Sequence, residues 1–345
     1  MARAYYALGD YPRALAEIKI VQHLNPPLAA RLTIARYLAA IDEHMHGPRV
    51  KVTGYAEGSL GYDSNVNAAP GLTSVFVPLF GVDFNLASTS VKQSASFAAL
   101  GAGGQLSYPL GHDLSVLATG ALYQRANPRY SAFGYRTADL ALGVQHLSDR
   151  DRVRATLGGN DYTLDDADYR HIHSVNLDWR RQVDAHTQLG VFAQDARIRY
   201  VQEALRSESS DMVLYGVGAL HEIDAANRLI AFGSVYRGDD RATDGRIDGD
   251  RRIYGLRLGV QRAVSVDADA YASLTWQRSK YNKENAIFSA LRRDAEDDLL
   301  LGVAWRVTPV WTLRPELAYT RNDSNIAIDK YDRYVVSFTL RRDWR

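Results

Sequence analysis

The residues of this chain that are spaced for chemistry begin at Asp63-Ser64-Asn65-Val66-Asn67, where oxygen-bearing side chains alternate as they do at the opening of a calcium-binding EF-hand loop. A full loop needs glycine at its sixth position and an acid at its twelfth. The chain has Ala68 and Ser74 there, which rejects calcium at this place. The short form returns as Asp323-Ser324-Asn325-Ile326. Side chains of this kind compete for backbone hydrogen bonds and end strands, so the two copies either terminate strands or mark a common rim. His44 and His46 stand at a helix end, and His171 and His173 share one strand face, each pair without an evident third ligand. The acidic stretch Asp244-Gly245-Arg246-Ile247-Asp248-Gly249-Asp250 reads as a solvated loop. No Gly-x-Ser-x-Gly, phosphate loop, His-Glu-x-x-His or dinucleotide fingerprint occurs, so the expectation is a protein with no catalytic residues, metal or cofactor.

The elements that position these residues must come from a chain of 345 residues whose charges nearly cancel, 41 Lys and Arg against 40 Asp and Glu. That balance gives no field for nucleic acid. The absence of cysteine excludes disulfides and cysteine–metal sites and suits an oxidising compartment. Tyrosine is abundant at 21 and glycine stands at 26, while the mean hydropathy of -0.28 is that of a water-soluble protein. No apolar run reaches the ~18 residues of a membrane-spanning helix. A membrane is still within reach, because a spanning strand needs only about 9–11 residues and alternates lipid-facing with lumen-facing side chains.

Beyond the first fifty residues the sequence consists of such runs. They lie at 50–62, 94–108, 113–125, 135–146, 152–163, 169–182, 187–201, 210–222, 228–238, 251–263, 267–281, 297–307, 311–321 and 331–344, fourteen in all. The connections at 109–112, 148–151, 183–186, 224–227, 264–266 and 308–310 are short. Those at 63–93, 126–134, 164–168, 202–209, 239–250, 282–296 and 322–330 are longer and more polar. An even count with alternating turn lengths predicts a mainly β fold, a fourteen-stranded antiparallel up-and-down transmembrane barrel. In one run Leu140, Leu142 and Val144 oppose Asp139 and Gln145; in another Leu299, Leu301 and Val303 oppose Asp298 and Arg306. The inward set is Asp139, Arg152, Arg154, Asp178, Arg180, Arg257, Arg306, Arg314, Glu316 and Arg341. These charges either receive a polar or anionic partner or pair across strands to stiffen the wall. Tyr108, Tyr123, Trp179, Trp276, Trp305, Trp311 and Tyr319 suit aromatic girdles. Two features run against the pattern: the run 210–222 has no polar face, and Pro315 removes a ladder bond unless a bulge absorbs it.

The first 48 residues are helical. Tyr6, Gly9, Tyr11, Ala14, Ile18 and Pro26 resemble the signature of a tetratricopeptide repeat, with a Gly-Asp-Tyr turn between helices and a closing Asn-Pro. A further helix is expected over 29–45. Such a unit cannot bury its apolar face alone, so the expectation is that more repeats and a signal sequence lie upstream. The chain is thus read as two domains, a partial helical segment at 1–48 and a barrel at 49–345. Strand topology puts that segment in the periplasm, on the side of the short turns.

A terminal repeat, a linking helix and a barrel opening on Gly61-Tyr62-Asp63-Ser64-Asn65-Val66-Asn67 resemble the surface lipoprotein assembly modifier family over nearly the whole chain. The resemblance implies an outer-membrane barrel of a Gram-negative bacterium that helps lipoproteins, or related secreted proteins, reach the cell surface. Its implied partners are outer-membrane lipids and the client protein, with room for periplasmic chaperones. Glycine weakens a strand, so Gly54, Gly58 and Gly61 of the first run, facing Val336, Phe338 and Leu340 of the last, form a candidate seam that parts for a client strand. Two other readings stay open: an export or diffusion channel for polysaccharide or small solutes, and a surface receptor or adhesin using loops 63–93 and 282–296.

Overall fold

The computed structural model describes residues 1–23, 34, 37, 38, 40–42, 45, 49–111 and 113–344. Pro26, Leu32, Ala35, Ala39, His44, His46, His112 and Arg345 therefore lie outside the described residues. Helices α1 (Ala2–Ala7) and α2 (Tyr11–His23) are joined through Gly9, whose φ of +76° is the left-handed conformation that glycine adopts without penalty. Ala14 and Ile18 are buried with Ile41, and the Tyr6 ring meets those of Tyr11 and Tyr37 edge to face. No described helix is long and apolar enough to cross a membrane.

The strands are β1 (Lys51–Asp63), β2 (Ser74–Val77), β3 (Val82–Asn85), β4 (Ala95–Pro109), β5 (Leu114–Ala126), β6 (Tyr135–Leu147), β7 (Asp151–Leu164) and β8 (Ala167–Gln182). They continue as β9 (Thr187–Tyr200), β10 (Ser210–Asp224), β11 (Leu229–Ala242), β12 (Arg251–Ala263), β13 (Ala268–Asn285), β14 (Ala290–Arg306), β15 (Trp311–Ser324) and β16 (Tyr331–Trp344). Strands β2 and β3 form a small separate hairpin. The other fourteen close into an antiparallel barrel in which every strand pairs with its neighbours in sequence and β1 pairs with β16. Closure leaves no sheet edge, the condition for strands to survive in lipid.

Period-two alternation sets the two faces. Leu60, Leu100, Leu122, Leu140 and Leu157 are all more than half exposed and lie on the outer surface, where a globular protein would carry charge. The register carries this parity around the ring, for instance through Leu122 beside Ala102 and Leu142 beside Leu157.

Three expectations change. The long connections do not all persist. The 164–168 connection is a two-residue turn, Asp165-Asp166, with both φ positive as a tight hairpin requires, and 282–296 shrinks to residues 286–289. Strands β13 and β14 simply continue past the apolar band, where their outward residues become charged and the alternation of hydropathy vanishes. The 63–93 connection, in turn, holds the β2–β3 hairpin, and Leu79 N–H donates to the Ile287 carbonyl in the β13–β14 turn. Secondly, the inner face of β10 is apolar rather than polar: Met212, Leu214 and Leu220 lie on it with Gly216 and Gly218 between, and Phe192 stands 2.6 Å from where a Gly216 side chain would begin. Thirdly, no bulge answers Pro315. The β14–β15 ladder pairs Gly302 with Glu316 and Trp305 with Leu313 without shifting register, skips the pairs between, and keeps Pro315 opposite Phe338 on the β16 side.

Candidate functional site at the barrel seam

Strand β1 meets β16 from Gly54 opposite Trp344 to Asp63 opposite Val335, whereas Lys51 to Thr53 pair with β4 alone. The candidate seam residues fall into this register: Gly58 faces Leu340, Gly61 faces Ser337, Val336 faces Tyr62 and Phe338 faces Leu60. At the turn end the indole of Trp344 lies across Gly54, where an added Cβ would stand 2.7 Å from its Nε1. Only glycine admits that approach.

The inner face of the seam is polar. Glu57 accepts from Arg314 Nη2 at 2.6 Å and lies 3.6 Å from Arg341 Nη1. Arg341 also donates to Asp343 at 2.8 Å and stacks over the Tyr55 ring at 3.8 Å. The hydroxyls of Ser59 and Thr339 bond at 2.8 Å. At the loop end Asp63 is fully buried and accepts from Arg333 Nη2 at 2.6 Å, Arg125 Nη2 at 2.7 Å and the Asn65 N–H at 3.0 Å. Arg125 is itself buried, over the face of Phe97. The chain thus drives one carboxylate out of water and satisfies it with two guanidiniums from the strands that flank the β1–β4 pair, β16 and β5. Removing one partner of such a buried pair leaves the other uncompensated.

The rest of the rim motif ties the seam shut by its backbone. Ser64 Oγ accepts from Tyr334 N–H, and Asn65 Nδ2 donates to the carbonyls of Asp332 and Ala69. Asn67 Nδ2 donates to Thr89 and Val91 carbonyls, folding the loop back on itself. The second copy does a smaller version of the same work. Asn325 accepts from Arg293 N–H and donates to the Leu291 carbonyl, Ser324 Oγ accepts from Ile326 N–H, and Asp323 pairs with Lys330 at the surface. In both copies the asparagine bridges to the neighbouring strand. In the turn that follows, Asp329 lies 3.1 Å from Arg292; burial pushes its carboxyl up to about 6, with Asp294, Asp248 and Glu208 acting in the same sense against Arg292.

The register puts all ten lumen candidates on the face opposite the lipid-exposed leucines. Several are paired: Asp139 with Asn160, Arg154 with Gln145, Arg180 with Asp178, Arg306 with Asp269 and Glu316 with Tyr271. Arg152 sits beside Arg180 in the register, and neither Arg152 nor Arg257 forms an ion pair among the described residues. Asp139, Arg306, Arg341 and Asp343 share a cavity of about 830 Å³ at the turn end. Tyr123 is a correction. It faces inward and opens a run of contacting rings through Tyr135, Tyr162, Tyr169 and Tyr200, so it belongs to no girdle.

No group of three His, Cys, Asp or Glu is arranged for a metal among the described residues. His171 bonds Asp161, and in the 244–250 loop Asp248 accepts from Asn285 and Arg292. Sequence reasoning missed Glu57, Arg125, Arg333 and Thr339. The signal available was parity, since Glu57 and Arg333 stand on the inward positions of the first and last runs.

The fold is that of known outer-membrane proteins. The outer membrane channel DcaP of Acinetobacter baumannii superposes with a TM-score of 0.50 at 8% identity, covering 86% of this chain and 97% of that one. A loop-deletion form of OmpT, an outer membrane protein of Vibrio cholerae, gives 0.49 at 8% identity over 86% and 99%. The toluene transporter TodX of P. putida gives 0.44 at 7% over 85% and 90%. At such identities the likeness shows the fold alone. No curated protein matches the sequence. The model of the surface lipoprotein assembly modifier family matches residues 53–344, from the first barrel strand to the last, and the chain belongs to that family.

Proposed function

We propose that this barrel helps lipoproteins, or related secreted proteins, pass to the cell surface by parting its β1–β16 seam from the periplasmic end. Family membership and the outer-membrane fold support a role in surface lipoprotein assembly. Strand β1 enters from the side of the short turns. In this reading that side is periplasmic, and the helical hairpin with Tyr6, Gly9, Tyr11, Ala14 and Ile18 is a repeat-like unit placed there to engage the client. Residues 1–48 and 49–345 are then separate working parts.

The observation that carries the reading is the unequal fastening of the seam. Its loop end holds the buried Asp63 between Arg125 and Arg333, while its turn end stops at Gly54 under Trp344 with three residues of β1 unpaired on that side. The periplasm offers no ATP, so export must draw on client folding outside or lipid partitioning. Parted strands expose backbone groups that pair with a client strand by β-augmentation. The reading requires no catalytic step. The mixed interior, with Arg152 and Arg257 outside the ion pairs formed among the described residues, is the favoured surface for polar client segments.

Cysteines at Gly58 and Leu340, directly opposite in the register, test it. Display of a client lipoprotein on whole cells should fall to background under oxidising conditions and return with reductant. Undiminished display by the cross-linked barrel rejects seam opening.

A further inference from the structure

On the lipid-facing side of the barrel, three cations stand side by side at the loop end. The register sets Arg252 of β12 opposite Lys280 of β13, and Lys280 opposite Arg293 of β14. Parity turns all three outward, because Trp276, Leu274, Leu299 and Leu301 on the same strands are exposed on that face. Like charges directly opposite one another destabilise a sheet, so strand pairing alone does not account for a row of three. In line with the row, Asp239 lies 3.3 Å from Arg252 and is shared with Arg237, and beyond it Asp195 and Asp211 line the same cavity as Arg252 and Lys280. Neither Lys280 nor Arg293 forms a side-chain ion pair among the described residues.

What lies below the row matters as much. Descending from the loop end on that face come Tyr254 and Arg278, then Leu256, Trp276 and Asp297, with Arg278 paired to Asp297 at 3.0 Å, and below them Leu258, Leu274, Leu299 and Leu301. Lys280 stands four residues from Trp276, about 13 Å along a strand. Cations, then aromatics with one self-neutralised ion pair among them, then aliphatics is the profile of a lipid molecule read from headgroup to acyl chain. A guanidinium pair with an ammonium between them matches a phosphate, through charge-assisted and bidentate hydrogen bonds.

We infer that Arg252, Lys280 and Arg293 form a binding site for the phosphates of a phosphorylated glycolipid of the outer leaflet, lipid A, with its acyl chains on the leucines of β12 to β14. The choice of leaflet rests on the orientation proposed above, loops outward. The phosphate relieves the repulsion within the row, and the bound lipid fixes the height of the barrel beside its loops.

The test uses the full chain folded in detergent, with bisphosphorylated lipid A as the probe and binding followed by thermophoresis. The variant R252Q/K280Q/R293Q should lose affinity by about a hundredfold, from about a fivefold loss per surface cation. The outward turn-end variant R181Q should bind as the parent does. Equal affinity of the parent for lipid A stripped of phosphate, or for phosphatidylglycerol, overturns the assignment, as does an unchanged triple variant. Each variant's heat-modifiable gel mobility verifies folding, and the single K280Q, an exposed position, serves if the triple fails to fold. Orientation is read separately. A Ser289→Cys chain on whole cells should react with an impermeant maleimide; no reaction defeats the outward placement of the loops and leaves the detergent measurement intact.

Discussion

Asp63 and Asp323 open the same three-residue motif and differ in their surroundings. Asp63 has no exposed surface and two arginines upon it; Asp323 is half exposed with one lysine. Asp63→Asn strands both guanidiniums, and unfolding in urea should show a loss of about 3–5 kcal/mol. Asp323→Asn should leave the unfolding midpoint where it was. The motif was legible in the sequence, but its weight was not, because burial depends on Arg125 and Arg333, which lie 62 and 270 residues away. Asp329 supplies a pH signature. Its carboxyl is raised from 3.8 to about 6, so the folded state holds the proton more tightly than the unfolded one between those values. Stability from this group therefore falls as pH rises from about 4 to 6 and stays low above that. Asp329→Asn should remove that slope, seen as unfolding midpoints at pH 4.5 and 7 that lie closer together than in the parent.

Among the strands, alternation revealed the count of fourteen and which charges face the lumen, since a half-turn per residue is written directly in hydropathy. It failed where the strands leave the apolar band. Residues 282–285 and 290–296 carry charge on both faces, so nothing in their order separates strand from loop, and only ladder pairing such as Lys280 with Arg293 makes them strands. Glycine in β1 was legible as weakness, but its uses differ by position. Gly58 meets nothing closer than Leu100 at 3.7 Å, whereas a side chain at Gly54 collides with Trp344. Gly54→Val should displace the indole and speed amide hydrogen exchange over residues 54–58, with the segment near Asp63 unaffected. Gly58→Ala should exchange as the parent does. Equal exchange in both would mean that Trp344 adds nothing to closure.

At the scale of the whole barrel the proposed function leaves two routes for a client, through the lumen or through the wall, and the seam's two unlike ends make the alternatives separable. Ala56 faces Arg342 near the turns and Tyr62 faces Val336 near the loops, both pairs outward and free of the lumen. A disulfide at either pair leaves the interior cross-section unchanged, so passage through the lumen predicts full client display from both cross-linked barrels. Parting from the periplasmic end predicts a graded result. The link at 56 and 342 holds the strands where separation must begin and should abolish display. The link at 62 and 336 lies beside Asp63, which already fastens that end, and should leave measurable display with the strands hinging about it. Equal loss from both links would mean that the strands separate along their full length, Asp63 and its two arginines included.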